Sequence, residues 1–173
     1  MEAKFDVHGV LQIVETVRHK GSRFYLQAAE RFIDPQCSEL CRQLANWRAA
    51  EEGIVGRRKK QITRQPADPW AGGKRDYVST HPFVMADLEA LAHNTGRWAR
   101  LTGRESADEI LKIAIMRAED TIAFYHGLKD FVHDPAGIEA LDIIITEEKS
   151  HINGLIERLT SQEPTAPQTA AES

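Results

Sequence analysis

Glu148 and His151 are three residues apart, a spacing that places both side chains on one face of a helix. A carboxylate and an imidazole presented together are typical metal ligands of four-helix bundles, in which two Glu-x-x-His pairs join a Glu from each of the other two helices. Only one such pair occurs at the expected place in this chain. The remaining groups of such a site must be sought on the other helices.

Two dipeptides mark the starts of helices. Asp34-Pro35 and Asp134-Pro135 each combine an N-cap carboxylate with a proline suited to the first helical position, and Ser106 with Glu109 forms a capping box. Apolar residues recur at helical spacing in four segments, 10–32, 37–62, 110–132 and 138–159. The sequence therefore predicts four long helices arranged as two hairpins.

The remaining segments indicate the domain organisation. The Pro- and Gly-containing connection over about 63–105 is predicted to be a long crossover with one short helix near 83–93. Residues 1–160 form one predicted domain, and the tail over 161–173 is predicted to be disordered because it lacks apolar anchors.

Composition excludes several classes of function. Apolar residues make up 42% of the chain and charged residues 28%, which is typical of a soluble globular protein. The net charge of −4 gives no positive electrostatic field that would attract nucleic acid, and no apolar run is long enough to span a membrane. Two cysteines are too few for a secreted disulfide framework, so we expect a cytoplasmic protein.

The chain repeats itself at a distance of 100 residues, because positions 10–60 align with 110–160 without a gap. Eight aligned pairs are identical, against about three expected by chance at ordinary composition. They include the two Asp-Pro dipeptides and the pairs Phe24-Tyr25 and Phe124-Tyr125. A duplicated hairpin joined by a long crossover predicts an all-α, ferritin-like four-helix bundle.

The aromatic pairs, the segment 141–155 with its Glu-x-x-His, and Lys20-Gly21 together resemble the rubrerythrin-like branch of the ferritin-like superfamily. The resemblance covers about residues 9–160 apart from the crossover. It implies a di-iron centre, with peroxide reduction or iron oxidation as its chemistry. It also implies a ligand Glu seven residues before each Tyr of the aromatic pairs, and Leu-Ala-x-x-Glu-x-x-His on the second helix.

Four of the six ligand positions that this resemblance implies hold other residue types. The former di-iron site comprises Arg18 and Ala118 at the Glu positions of the first and third helices, Arg48 and Glu51 at the Glu and His positions of the second, and Glu148 and His151 on the fourth. The offset of 100 residues pairs the same positions independently.

This substitution pattern predicts that the metal has been lost. A guanidinium group has no free lone pair at accessible pH, so Arg18 and Arg48 cannot ligate a metal and instead repel it. Glu51 and Glu148 bring two compensating charges, so we expect Arg–carboxylate hydrogen bonds to fill the former metal volume, with His151 completing the network. No cofactor is expected on this interpretation.

A rearranged site for one ion is the alternative. Glu51, Glu148 and His151, joined by Glu15 of the first helix, would offer oxygen and nitrogen ligands suited to one iron or zinc ion. The two arginines would then have to swing away. On this hypothesis the protein is a metal-dependent oxidoreductase of the rubrerythrin type.

Two further residue pairs favour structural roles. Cys37 and Cys41, one helical turn apart, are predicted to be small apolar core residues rather than a redox or metal pair. Tyr25 and Tyr125 are predicted to be core residues with satisfied hydroxyl groups rather than redox-active tyrosines.

The sequence as a whole predicts a non-catalytic structural or binding module that forms a homodimer. The basic run from Arg57 to Lys60 lies near a helix C-terminus, where the macrodipole favours cations, so a solvated face is expected there. An adaptor that recognises an acidic protein through this run is a third interpretation.

Overall fold

The computed structural model describes residues 5–64 and 101–161, which form four α-helices. They are α1 (Val7–Ala29), α2 (Pro35–Arg64), α3 (Ala107–Leu128) and α4 (Pro135–Ser161), with a 3₁₀ helix, Lys129–Phe131, after α3. The prediction of an all-α chain with four long helices is confirmed. Most of the predicted crossover, its short helix near 83–93 and the predicted tail lie outside the described residues. No helix in the described ranges is long and apolar enough to cross a membrane.

The predicted caps are present at the helix starts. Asp34 accepts a hydrogen bond from the backbone N of Gln36, and Asp134 accepts one from the backbone N of Ala136, each at 3.1 Å. The second carboxylate oxygen of Asp134 accepts from the backbone N of Val7 at 3.0 Å. One aspartate therefore satisfies N–H groups at the starts of both α4 and α1.

Contacts at the helix starts define the topology. The backbone N of Phe5 donates to the carbonyl of Phe131 at 2.7 Å, which places the start of α1 beside that of α4. Cys37 Sγ lies 3.7 Å from the carbonyl oxygen of Glu105, which places the start of α2 beside the approach to α3. Hence α1 runs parallel to α4, and α2 runs parallel to α3. The first hairpin therefore ends at the opposite end of the bundle from the start of the second.

The hydrophobic core is divided into two clusters of buried residues. One cluster includes Ile13 of α1 and Ile144 of α4, and the other includes Cys41 of α2 and Leu111 of α3. Each helix contributes to both clusters, and a short interval separates the two contributions. The buried side chains in these intervals include Arg18 in α1, Arg48 and Glu51 in α2, Ala118 in α3, and Glu148 in α4. We call these five residues the junction layer.

Burial follows the same period as the sequence repeat. Over ten aligned positions, 41–50 and 141–150, buried, half-buried and exposed residues alternate identically. Equivalent positions of α2 and α4 therefore face the same interior. This supports the register in which Arg48 is aligned with Glu148.

A tight turn precedes α3. Gly103 has a φ of 93°, in the left-handed region that favours glycine. A Cβ at this position would lie 2.3 Å from the carbonyl oxygen of Arg31. The Glu105 carboxylate holds the turn by accepting hydrogen bonds from the backbone N of Thr102 at 2.9 Å and of Gly103 at 3.0 Å.

Replacing Gly103 with alanine tests this turn. Both the strained backbone and the clash with Arg31 oppose a Cβ, so Gly103→Ala should lower the free energy of unfolding by about 2 kcal/mol or more in urea denaturation. Gly154→Ala is the control, because an added Cβ there meets nothing within 4 Å. It should raise stability by ~0.5–1 kcal/mol through helix propensity. Equal effects of the two variants would contradict the described turn.

Candidate functional site

The junction layer brings charged side chains from three helices into the centre of the bundle. Arg18 is 1% exposed and Glu148 is 0% exposed, and Arg48 and Glu51 are also buried. Ala118 of α3 completes the layer as a fully buried methyl group. Charged groups are rarely buried unless they are paired, so each of these must be compensated within the bundle.

Arg48 links the two carboxylates of the layer. Its Nη1 donates to Glu148 Oε1 at 2.6 Å and lies 3.4 Å from Glu51 Oε2. The guanidinium carbon also lies 4.6 Å from the centroid of the Trp47 ring, within range of a cation–π interaction. Arg48 therefore ties α2 to α4 through a charge-assisted hydrogen bond in the buried interior.

Arg18 makes three contacts from α1. Its Nη1 donates to the backbone carbonyl of Glu51 at 3.2 Å, and its Nε lies 3.9 Å from Glu51 Oε2. Its Nη2 donates to Glu147 Oε2 at 3.0 Å. The other carboxylate oxygen of Glu147 accepts from Arg58 Nη2 at 2.9 Å. The buried network thus reaches the partly exposed Arg58 through Glu147.

Sequence reasoning missed Glu147. Glu147 precedes Glu148 by one residue, so its side chain lies about 100° around the helix from the interior face that Glu148 occupies. This offset indicates a position at the boundary between interior and surface. The arginine of α1 is long enough to reach that boundary. The available signal was the presence of two adjacent carboxylates in α4 opposite arginines of the first hairpin.

Burial and pairing act against each other on the ionisation of these groups. Burial alone would lower the pKa of Arg48, but the charge and hydrogen bond of Glu148, together with the charges of Tyr25 and Glu51, outweigh it and raise that pKa. Burial alone would raise the pKa of Glu147, but the hydrogen bonds and charges of Arg18 and Arg58 together outweigh it and lower that pKa. At Glu51 burial prevails over Arg18 and Arg48 and raises the pKa to about 7.

His151 does not complete the network as expected. Its ring stacks on Trp47 with a centroid distance of 3.3 Å and an interplanar angle of 9°. Burial, reinforced by the charge of Arg48, lowers the pKa of His151 to about 3, so the ring is neutral near neutral pH.

The two tyrosines differ in their hydroxyl groups. Both are buried, as predicted. Tyr25 hydrogen-bonds with Arg117, whereas Tyr125 OH has no hydrogen-bond partner within the described residues. No protein group within the described residues therefore satisfies the Tyr125 hydroxyl.

The other predicted groups lie outside the junction layer. Glu15 pairs with Lys59 of α2 rather than approaching the buried carboxylates. Cys37 and Cys41 are buried free thiols, and burial raises their pKa values to about 11 and about 12. In the basic run, Arg58 and Lys59 form ion pairs with carboxylates of this chain, while Arg57 and Lys60 are exposed.

The residues of the layer do not fit a pair of divalent metal ions. Such a pair needs several carboxylates, whereas Glu51 and Glu148 both lie against Arg48 and His151 lies on Trp47. In residues 5–64 and 101–161 no group of three or more His, Cys, Asp and Glu side chains is placed to hold a metal ion. The predicted single-ion set that included Glu15 is likewise not assembled.

Comparisons with known proteins give one similar structure. The chain matches no known protein-family profile and no curated protein. It is similar to the crystal structure of a Thermotoga maritima protein provisionally classed as a ferritin-like diiron-carboxylate protein. The TM-score is 0.49 at 20% sequence identity, and the similarity covers 92% of this chain and 98% of that chain.

Removing one partner of the buried pair should be costly. Arg48→Met leaves the Glu148 carboxylate without its counter-ion, and we expect the free energy of unfolding to fall by about 3–5 kcal/mol. The double variant Arg48→Met, Glu148→Met should recover most of this loss because that buried pair is then replaced by apolar groups. Urea denaturation measures both effects.

The control for this comparison is a surface pair. Lys129 pairs with the exposed Asp142, so Lys129→Met should change stability by less than about 1 kcal/mol. A similarly small loss in Arg48→Met would show that the pair with Glu148 does not form in solution.

The raised pKa of Glu51 predicts a pH dependence of stability. Because its pKa of about 7 exceeds the ordinary 4.5, the folded state holds this proton more tightly than the unfolded state does. The resulting stability is complete below about pH 4.5 and is lost as pH rises through about 7, by about 3 kcal/mol at ~1.4 kcal/mol per pKa unit.

Glu51→Gln tests this dependence by keeping the side chain neutral. Its free energy of unfolding should rise relative to that of the unaltered chain as pH increases from about 5 to about 8. Comparing the two proteins at each pH cancels the contributions of the histidines, and the exposed Glu157→Gln serves as the control. A stability difference independent of pH would contradict the raised pKa.

Proposed function

We propose that this chain is a rubrerythrin-related, ferritin-like protein in which a buried ion-pair network stands in place of a di-metal centre, and that it acts as a non-catalytic structural or binding module. The carrying observation is the 2.6 Å contact between Arg48 Nη1 and Glu148 Oε1, both buried in the junction layer. This contact places a guanidinium charge directly against the carboxylate, and that charge repels a metal ion approaching it.

Charge balance supports the proposal. When Glu51 is ionised, the guanidinium charges of Arg18 and Arg48 are matched by the carboxylates of Glu51 and Glu148 within the layer. Glu147 is shared between Arg18 and the partly exposed Arg58. The layer is thus neutralised by protein groups alone, without the positive charge that a metal pair would supply.

The network also supports a structural role because it joins the two halves of the chain. The first hairpin supplies Arg18 and Arg48, and α4 of the second supplies Glu147 and Glu148. A buried ion pair need not add more stability than apolar packing, but each member requires its partner. The module holds its two hairpins in one defined arrangement, and we propose that it works as a cytoplasmic homodimer.

A metal-dependent oxidoreductase with a reduced site is the second candidate. It draws support from the proximity of Glu51 and Glu148, which both lie within 3.4 Å of Arg48 Nη1. For these carboxylates to hold an iron or zinc ion, Arg48 would have to leave and His151 would have to unstack from Trp47. The adaptor interpretation is weakened because Arg58 and Lys59 of the basic run are paired internally.

Metal analysis distinguishes the first two candidates. The full chain, purified from iron-supplemented medium, should contain no stoichiometric metal by mass spectrometry. The variant Arg18→Glu, Arg48→Glu, Glu51→His, Ala118→Glu restores the implied ligand types and should gain two iron ions per chain. Circular dichroism establishes that the variant is folded, and light scattering tests the homodimer.

Three results would overturn the proposal. Two iron ions in the unaltered chain would exclude the loss of the centre, and one tightly held ion that disappears in Glu148→Ala would establish the reduced site. A folded quadruple variant that binds no iron would show that these positions are not the former ligand positions.

A further inference from the structure

Three buried polar atoms beside the ion-pair network have no hydrogen-bond partner among the described residues. They are Arg18 Nε from α1, Tyr125 OH from α3 and Glu148 Oε2 from α4. These side chains belong to residues that are 1%, 0% and 0% exposed, respectively. Buried polar atoms in folded proteins nearly always bond to protein or to ordered water, because an unpaired one retains its full desolvation penalty.

Contacts connect the residues of two of these atoms, and the third residue packs beside α4: Tyr125 lies in one apolar cluster with Ile144 and Ile145, about one turn before Glu148. Contacts of 2.6, 3.4 and 3.9 Å lead from Glu148 to Arg48, then to Glu51, and finally to Arg18 Nε. The same charged groups act on Tyr125. Burial makes the largest contribution to its raised pKa, the charge of Glu148 raises that pKa further, and the charge of Arg18 lowers it.

On the α3 side, the junction layer contributes only the small side chain of Ala118. It lies two helical turns before Tyr125, on the same face of α3, and it is 0% exposed. Its repeat counterpart is Arg18. The third helix therefore places a methyl group in the layer where the first places a guanidinium group.

The three atoms together define what can occupy this place. A cation would be repelled by Arg18, and an anion would be repelled by Glu148. A suitable ligand is neutral, small, and able both to accept and to donate hydrogen bonds. Water meets these requirements, and buried waters typically make about three hydrogen bonds.

We propose that an internal water molecule occupies the junction layer, accepts hydrogen bonds from Arg18 Nε and Tyr125 OH, and donates one to Glu148 Oε2. It connects α1, α3 and α4 at the only layer position, Ala118, that carries no polar side chain. This inference does not depend on the proposed function, because the three atoms are unpaired whether or not the site once held a pair of metal ions.

A crystal structure of the full chain at a resolution that shows ordered water tests the proposal directly. We expect one water within hydrogen-bonding distance of all three atoms. A direct hydrogen bond between Tyr125 and Glu148 would overturn the proposal, as would a metal ion or an anion at this place, or carbon atoms enclosing the three groups without solvent density.

Tyr125→Phe provides an independent test in solution. If water bridges the hydroxyl, the variant loses a hydrogen bond and its melting temperature falls; if the hydroxyl is unpaired, removing it raises the melting temperature. Tyr25→Phe is the matched control, because that hydroxyl is paired with Arg117 and its loss should lower the melting temperature. If Tyr125→Phe does not fold, the structure of the unaltered chain still decides, and neither result depends on iron content.

Discussion

The buried contact between Arg48 and Glu148 is the constraint on which the rest of this bundle depends. The two residues occupy equivalent positions of the repeated hairpin, 100 residues apart, and meet at 2.6 Å in the interior. A charge at this depth is tolerated only beside its partner, because leaving either one uncompensated costs several kcal/mol. The pair therefore sets the relative placement of α2 and α4. Glu51 lies against Arg48 of this pair, and Arg18 lies against Glu51.

The two hairpins differ in complementary ways at their aligned positions. The first carries arginine at positions 18 and 48, whereas the second carries Ala118 and Glu148 at the equivalent positions and adds Glu147. Pairing two first copies would gather arginines in the interior, and pairing two second copies would gather carboxylates. Only the mixed pairing balances the charges. The apolar clusters on both sides of the junction layer bury the apolar surface of the helices. The charges of the layer favour pairing of the first hairpin with the second over pairing of like hairpins.

Much of the fold follows from interactions that are local in the sequence. Asp34 and Asp134 begin their helices through hydrogen bonds to backbone groups two residues away, so the starts of α2 and α4 could be read from dipeptides. The repeat then supplied the register between the hairpins. Because helix faces follow from residue spacing, this register placed Arg18, Arg48 and Glu148 inside the bundle, where the structure also has them.

The sequence by itself thus determined the helices, their pairing and which residues face the interior. Only the tertiary structure decided the partners of those residues: Arg18 reaches Glu147, His151 stacks on Trp47, and the Tyr125 hydroxyl has no partner among the described residues. The physical reason is one of range. Helix formation and phase depend on residues within a few turns, whereas these partners come from different helices. Their distances and rotamers exist only once the helices have packed.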